Sequence, residues 1–397
     1  MTRNIELRTI ESNVNYWVVR AGEQGAYFPH FRQGNVISIG HLDGMLSASN
    51  EQLNTQLNAE LNDETQFDNL MIQYRNSLES AGIIKGSVTL RLSQVTKFVH
   101  DIKCGDVVIS IGKDNIAAGV VTSDAYYSDT PIIVRNADDS PMGDNLEYVL
   151  RRNIQWTKKQ SKKSIPYALQ KSLKANQAVF SINEHWRAIN HWLNVFFIKD
   201  ESIYFSSRIE QTENINNFDV AQYSILLNKI EAFTKNLSKK IEDNVDLSSI
   251  DEDWIRHEIS ESYAQMLRER DFTLTTQQSF MSPGDFFGEL KCPRIQRIIY
   301  TAVFASIMNV TVAYAEEDLN IVANHQQIID SSAAIIKDEA QFDQIKDSLK
   351  LRVPKSSDTV VPRAVDTEDT ETDEGTLTHP EEDDDFPDDE PASFSAQ

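Results

Sequence analysis

Two cysteines in 397 residues, Cys104 and Cys292, are too few for a cysteine zinc site or a disulfide framework. With such sparing use, a reducing, cytoplasmic compartment is expected. Glycine is scarce at 14 residues, and no Gly-rich phosphate loop occurs: no Lys-Ser or Lys-Thr follows the pair Gly284 and Gly288. No Gly-x-Ser-x-Gly elbow is present. His257-Glu258 lacks the second histidine of a zinc-binding helix. Residues Met1–Ser12 have no apolar core, so no signal peptide is expected. The uncharged stretch Ile298–Ala315 is 18 residues long and just reaches the lower bound of a membrane span. Thr301, Ser306, Asn309 and Thr311 lie within it, which favours a buried helix followed by a short strand over 308–312.

Positive charge is the other deficit. The net charge is −23, and residues 364–397 hold 14 acidic residues with no Lys or Arg. Taking those 14 from the 61 acids leaves 47 against 38 bases, a net −9 for residues 1–363. A mildly acidic body excludes a protein that coats nucleic acid by bulk charge, so any such interface must be local. What is present is ordinary globular material, 40% hydrophobic and 25% charged, in a length that suits two or three domains.

Short strands come first. Asn15–Arg20, Val36–Gly40, Val107–Ile111, Asn115–Val121, Tyr126-Tyr127 and Tyr148–Trp156 are β-branched or aromatic and bounded by turns. Between them, 47–82 carries Leu53, Leu57, Leu61, Phe67, Leu70 and Tyr74 at helical spacing, and Val95–Ile102 reads as a short helical piece. This is the pattern of a small β-barrel with one or two helices. A basic run follows: Arg151, Arg152, Lys158, Lys159, Lys162 and Lys163 fall within thirteen residues. Ser164-Ile165-Pro166 opens a helical stretch that continues over 182–195. In the second half, 219–241 and 253–268 are amphipathic helices, 272–280 is a strand, 282–285 a turn, and 321–351 helical.

The segment Tyr16-Trp17-Val18-Val19-Arg20-Ala21-Gly22 resembles the opening strand of PUA-like domains of the EVE class, found in Mrr-like restriction and prokaryotic antiphage defence proteins. The order of later elements is similar as well: Phe31, then Val36–Gly40, then Phe98-x-x-x-Ile102-Lys103-x-Gly105-Asp106-Val107-Val108, Ala118–Val121, Tyr126-Tyr127 and Arg151-Arg152-x-x-x-Trp156. The resemblance covers about residues 13–160. His41 stands after Gly40, where such domains often carry Trp.

The resemblance implies nucleic-acid binding and, in some members, reading of a modified base extruded into an aromatic pocket. A flipped base needs π-faces to stack on and hydrogen-bonding groups for its edge. Trp17, His41, Tyr126, Tyr127 and Trp156 are the aromatic candidates, although strand aromatics such as the two tryptophans commonly pack inward. Tyr126 and Tyr127 point to opposite faces, so at most one lines a pocket. Arg20, Ser38 and Asp124 are the polar candidates. Arg151, Arg152, Lys158, Lys159, Lys162 and Lys163 are the phosphate-contact candidates. Gly105-Asp106 reads as a turn without catalytic content.

Restriction proteins of this kind often carry a nuclease. Glu289-Leu290-Lys291 has the Glu-x-Lys form of a Mg²⁺ nuclease, and Asp271, eighteen residues before Glu289, is a compatible second carboxylate. Cys292-Pro293 shortens any strand there, and Glu-x-Lys is a common triplet in acidic chains. The enzyme is therefore the alternative, with Mg²⁺ its only implied cofactor. Otherwise neither cofactor nor metal site is expected. His185 and His191 read as structural residues of an aromatic helix.

The expected fold class is α+β: a PUA-like barrel with helices over 13–165, a mostly helical α+β effector or interaction module over 166–350, and a disordered acidic tail over 351–397. The expected function is nucleic-acid sensing, modified bases included, in a prokaryotic antiphage defence or restriction system. The second half relays engagement to a partner or acts as effector. A protein–protein adaptor is the further alternative. Expected partners are DNA or RNA, a second defence-system protein and, for the acidic tail, a basic partner or the protein's own basic run. A membrane is not expected.

Overall fold

The structure is a computed structural model, and it describes residues 4–46, 51–135, 143–175, 177–247, 250–278 and 284–354. The expected disordered tail begins too early, since Leu351-Arg352 form a strand paired with Arg208-Ile209; from 355 onward it lies outside the described residues, as do 279–283 at the end of the expected strand and in the following turn. The chain is α+β, with a curled half-barrel sheet and its helices first and a mostly helical module after it.

Strands β1 (Asn4–Glu6) and β2 (Arg8–Ile10) open the chain but pair with elements far along it. The first sheet is built from β3 (Tyr16–Val19), β4 (Val36–Ile39) after α1 (Phe28–Gln33), then β5 (Val107–Ile111), β6 (Asn115–Val121), β7 (Tyr126–Tyr127), β8 (Leu150–Trp156), β9 (Gln160–Ser161) and β10 (Val179–Ser181). Helices α2 (Glu51–Asn62), α3 (Glu64–Ser80) and α4 (Lys85–Thr96) fill the space between β4 and β5, and α5 (Tyr167–Gln170) precedes β10. The strand order is β10-β3-β5-β6-β8-β4, with β7 on β8 and β9 on β6, and β3 and β5 are parallel.

Alternation along β3 decides what lies on each side of this sheet. Trp17 and Val19 join a core with Ile37, Ile39, Val108 and the α3–α4 residues Phe67, Tyr74, Leu78 and Leu92. Tyr16 and Val18 join a second core with Ile109, Ala118, Leu173, Ile189 and Trp192. Both faces are therefore covered. Helix α3 is amphipathic as its spacing predicts, and Asp63 caps it by accepting from the Gln66 amide at 2.9 Å. Asp106 organises the turn before β5: its carboxylate accepts from the amides of Asn15 and Lys103 and from Trp17 Nε1, each at 2.9 Å.

Arg152 departs from the sequence expectation of a phosphate contact. It is 1% exposed. Its Nε donates to Phe98 O at 2.7 Å, Nη2 to Val99 O at 2.6 Å and Nη1 to Ser123 O at 2.9 Å. These carbonyls belong to the π-helical turn after α4 and the loop after β6, so the guanidinium fastens helix to sheet. Burial pulls its pKa down to about 10. Arg151 is likewise 4% exposed, with Nε on Tyr148 O at 2.8 Å and Nη1 on Ser128 Oγ at 3.2 Å. The pairing of β8 between β6 and β4 turns both arginines away from water.

The second module contains α6 (Trp186–Leu193), the hairpin β11 (Phe196–Lys199) and β12 (Ser202–Ile209), α7 (Asn217–Glu242), α8 (Glu252–Glu269), β13 (Thr275–Gln278), β14 (Gly284–Lys291), α9 (Arg294–Met308), β15 (Thr311–Ala313), α10 (Glu316–Asn324), α11 (Gln326–Glu339), α12 (Phe342–Leu349) and β16 (Leu351–Arg352). Its sheet runs β13-β14-β12-β11-β2 with β16 on β12, while β1 pairs with β15. The apolar positions read along 219–241, Val220, Tyr223, Leu226, Leu227, Ile230, Phe233 and Leu237, are all buried in one core with α9 and α11. In α8 the register differs slightly: Met266 is buried and Leu267 is 52% exposed. The apolar stretch from 298 is the buried helix α9 followed by β15, and among the described residues no helix is long and apolar enough to cross a membrane.

Arg152→Met removes three buried charge-assisted hydrogen bonds and leaves their carbonyls dry. A loss of roughly 3 kcal/mol or more is expected in denaturant unfolding, against about 0.5 kcal/mol or less for Lys159→Met on the surface. Equal stability of the two variants would contradict the anchoring role.

Candidate functional site

A cavity of about 590 Å³ opens where β3 and β4 end against α3 and α4. Arg20 enters it from the end of β3, Ser38 and His41 from β4 and the segment after it, Tyr74 from α3, and Arg91 from α4. Asp43 and Tyr148 complete the polar and aromatic wall. Three sequence candidates, Arg20, Ser38 and His41, are thus brought together. Gly40 is fixed by close approach: a Cβ there would stand 2.6 Å from the Tyr148 ring and 2.7 Å from Asp43 Oδ2.

The electrostatics favour hydrogen bonding over bulk charge. Burial, aided by the nearby Arg91, pulls the His41 pKa down to about 4, so the ring is neutral at pH 7. Burial raises the Asp43 carboxyl, opposed by the Val149 amide, which donates to Oδ1 at 3.2 Å, and by Arg151. Burial also raises Tyr74, opposed by the charge and hydrogen bond of Arg91. Ser38 is 0% exposed, and its Oγ has no hydrogen-bond partner among the described residues. A buried hydroxyl in that state lacks about 1–3 kcal/mol of hydrogen bonding.

Arg20 also faces outward from the cavity. Its Nε and Nη2 donate to Ala175 O at 3.0 and 2.6 Å, and Nη2 to Leu173 O at 2.7 Å. The segment it holds belongs to residues 157–183, which contain six lysines and no acid. Lys158, Lys159, Lys163, Lys171 and Lys174 are exposed and Lys162 is half-buried. Register places them at one end of the sheet: Val18 pairs with Ile109, Ile111 with Ile116, and Ile116 with Gln160. The end of β3 that leads to Arg20 therefore lies at the same end as β9 and its lysines. The sequence reading ended the basic run at Lys163. Lys171 and Lys174 were detectable from the absence of acids up to Glu184.

The remaining candidates lie elsewhere. Trp17 is buried beside Asp106. Trp156 Nε1 donates to Phe31 O at 2.9 Å, and Tyr126 OH to Asn153 Oδ1 at 2.8 Å, so both serve the sheet. Tyr127 is buried, and Asp124 is exposed away from the cavity lining. Tyr148, Tyr74, Arg91 and Asp43 line the cavity instead. Arg151 and Arg152 are framework residues, as described above.

The nuclease residues are not assembled. Glu289 accepts from Tyr204 OH at 2.8 Å and pairs with Arg187 at 3.3 Å, on the α6 face of β14. Asp271 pairs with Lys235 of α7 at 2.6 Å, on the face where Phe286 meets Tyr223. Alternation puts Phe286 and Glu289 on opposite faces. Lys291 pairs with Glu201 at 3.3 Å. A second cavity of about 420 Å³ lies between the two sheets. Its polar groups serve the protein itself: Arg8 pairs with Glu6 at 3.3 Å, and Asn190 donates to Tyr16 OH at 2.6 Å.

Because the folded chain holds His41 neutral while the unfolded chain protonates near 6.5, its contribution to stability is complete above about pH 6.5 and is lost as pH falls towards 4. Imidazole NMR titration is expected to give His41 a midpoint near 4. A midpoint near 6.5 would contradict the burial of the His41 ring in the cavity wall.

Residues 17–183 match the model of a family described as Domain of unknown function (DUF8426). That span runs from β3 past β10 and contains the cavity lining and the lysine segment. Neither a curated protein nor a solved structure matches the chain.

Proposed function

We propose that this protein is a nucleic-acid sensor that grips phosphates with the lysines of 157–183 and reads an extruded base in the Arg20–Ser38–His41 cavity. The observation that carries the reading is Arg20. One guanidinium lines the cavity and holds the backbone that bears Lys171 and Lys174. A nucleotide offers a group for each: its base is a flat hydrogen-bonding body and its phosphate an anion. The resemblance of residues 13–160 to PUA-like domains of the EVE class supports the same reading, and it supports a place in prokaryotic antiphage defence or restriction. The helical second module then transmits engagement to a partner or acts as the effector. It shares a continuous chain with the sensor through β1 and β2, which pair inside the second module before the chain enters β3.

Fluorescence anisotropy of the full chain with a labelled DNA duplex, and with RNA of the same sequence, tests this at two salt concentrations. Lys171→Glu with Lys174→Glu is expected to weaken binding roughly tenfold or more and to flatten the salt dependence. Unchanged affinity would contradict the reading. In cells, the wild type is expected to lower phage plating and the double variant to lose that effect. Full protection by the variant would break the link to defence.

A further inference from the structure

We infer that the base read in this cavity carries a hydroxylated, sugar-sized substituent, so that the ligand is a glycosylated base rather than a methylated one. The inference rests on the base-reading proposal above and concerns the same cavity. Size is the first ground. About 590 Å³ is the volume of a site for a whole small molecule, more than a flat base alone fills.

The lining is the second ground. A methyl group is recognised by enclosure in apolar or aromatic surface, and it offers nothing to donors and acceptors. Here Asp43 accepts, Arg91 donates and neutral His41 does both. Mixed donors and acceptors of this kind match hydroxyl groups, each of which donates and accepts. Arg91 stands beside Tyr74, whose hydroxyl pKa its charge lowers against the effect of burial. The Tyr148 ring, packed edge-on against Tyr27 at 5.2 Å, offers a face on which the C–H side of a sugar ring can lie. Tyr148 and Asp43 both approach Gly40 closely, into the space where a Cβ would stand. Sites built to hydrogen-bond a hydroxyl reject analogues that lack it strongly, because their own polar groups are then left unpaired.

The test uses the full chain and four duplexes of one sequence, carrying cytosine, 5-methylcytosine, 5-hydroxymethylcytosine or glucosylated 5-hydroxymethylcytosine at a single position. The glucosylated duplex is expected to bind at least tenfold tighter than the plain and methylated ones. Asp43→Asn and Arg91→Met are each expected to bring that ratio towards one, with thermal melting confirming that the variants fold. Any order in which the glucosylated duplex is not the tightest overturns the inference, and so does a ratio that both variants leave intact. Equal, lysine-dependent binding of all four duplexes overturns this inference alone. Failure to bind any duplex overturns the base-reading proposal with it.

Discussion

The burial of β3 on both faces is the constraint on which the first module depends. Tyr16, Trp17, Val18 and Val19 are all buried, and they alternate between two cores. With β10 antiparallel on one side and β5 parallel on the other, the strand has no free edge. Polar chemistry can emerge only where the strand ends, at Arg20. The guanidinium there is part-buried, its pKa drawn down by burial, and carbonyls of the lysine-bearing segment take up its hydrogen bonds. The cavity wall and the hold on the lysine-bearing segment thus both arise at one strand end.

The two modules share a polypeptide more closely than their order suggests. The first ten residues contribute β1 and β2 to sheets whose other strands lie at 196–199 and 311–313. Only residues 11–15 separate β2 from β3. A displacement at the end of β3 therefore has a short covalent route into the second module. That module is itself cross-braced: the buried Glu231 of α7 accepts from Thr273 N at 2.6 Å, Thr273 Oγ1 at 2.9 Å and Leu274 N at 3.3 Å, tying the start of β13 to the helix.

Much of the fold is legible in the sequence because its periodicities are clean. The seven apolar positions of α7 all enter one core as their spacing predicts, and the strand read over 15–20 is β3. The strands that escape the sequence reading do so for physical reasons. β1 and β2 are three residues each, polar, and specified by partners roughly two to three hundred residues away. β14 looks like a catalytic triplet because Glu289 and Lys291 share its outer face. Its inner alternation rests on Gly284 and Gly288, and the latter has no side chain because the Phe205 ring occupies that space. The β11–β12 hairpin carried a usable signal, aromatic and β-branched runs around Asp200-Glu201, with Asp200 in the left-handed region at φ 53°. At the site, residue type points to Arg20, Ser38 and His41. Tyr74 and Arg91 come from helices whose facing only the packed structure fixes. Arg151 and Arg152 mislead because a charged pair next to lysines looks like surface, whereas interior carbonyls hold Arg152.

Hydrogen–deuterium exchange of the full chain with and without a bound duplex addresses the coupling of cavity and basic rim most directly. Slowed exchange is expected together in three segments distant in sequence, 38–43, 74–91 and 171–179, since all three border the cavity or are held by Arg20. Protection confined to the lysine segment, with the cavity walls unchanged, would contradict the account and leave a phosphate-binding surface without a base-reading site.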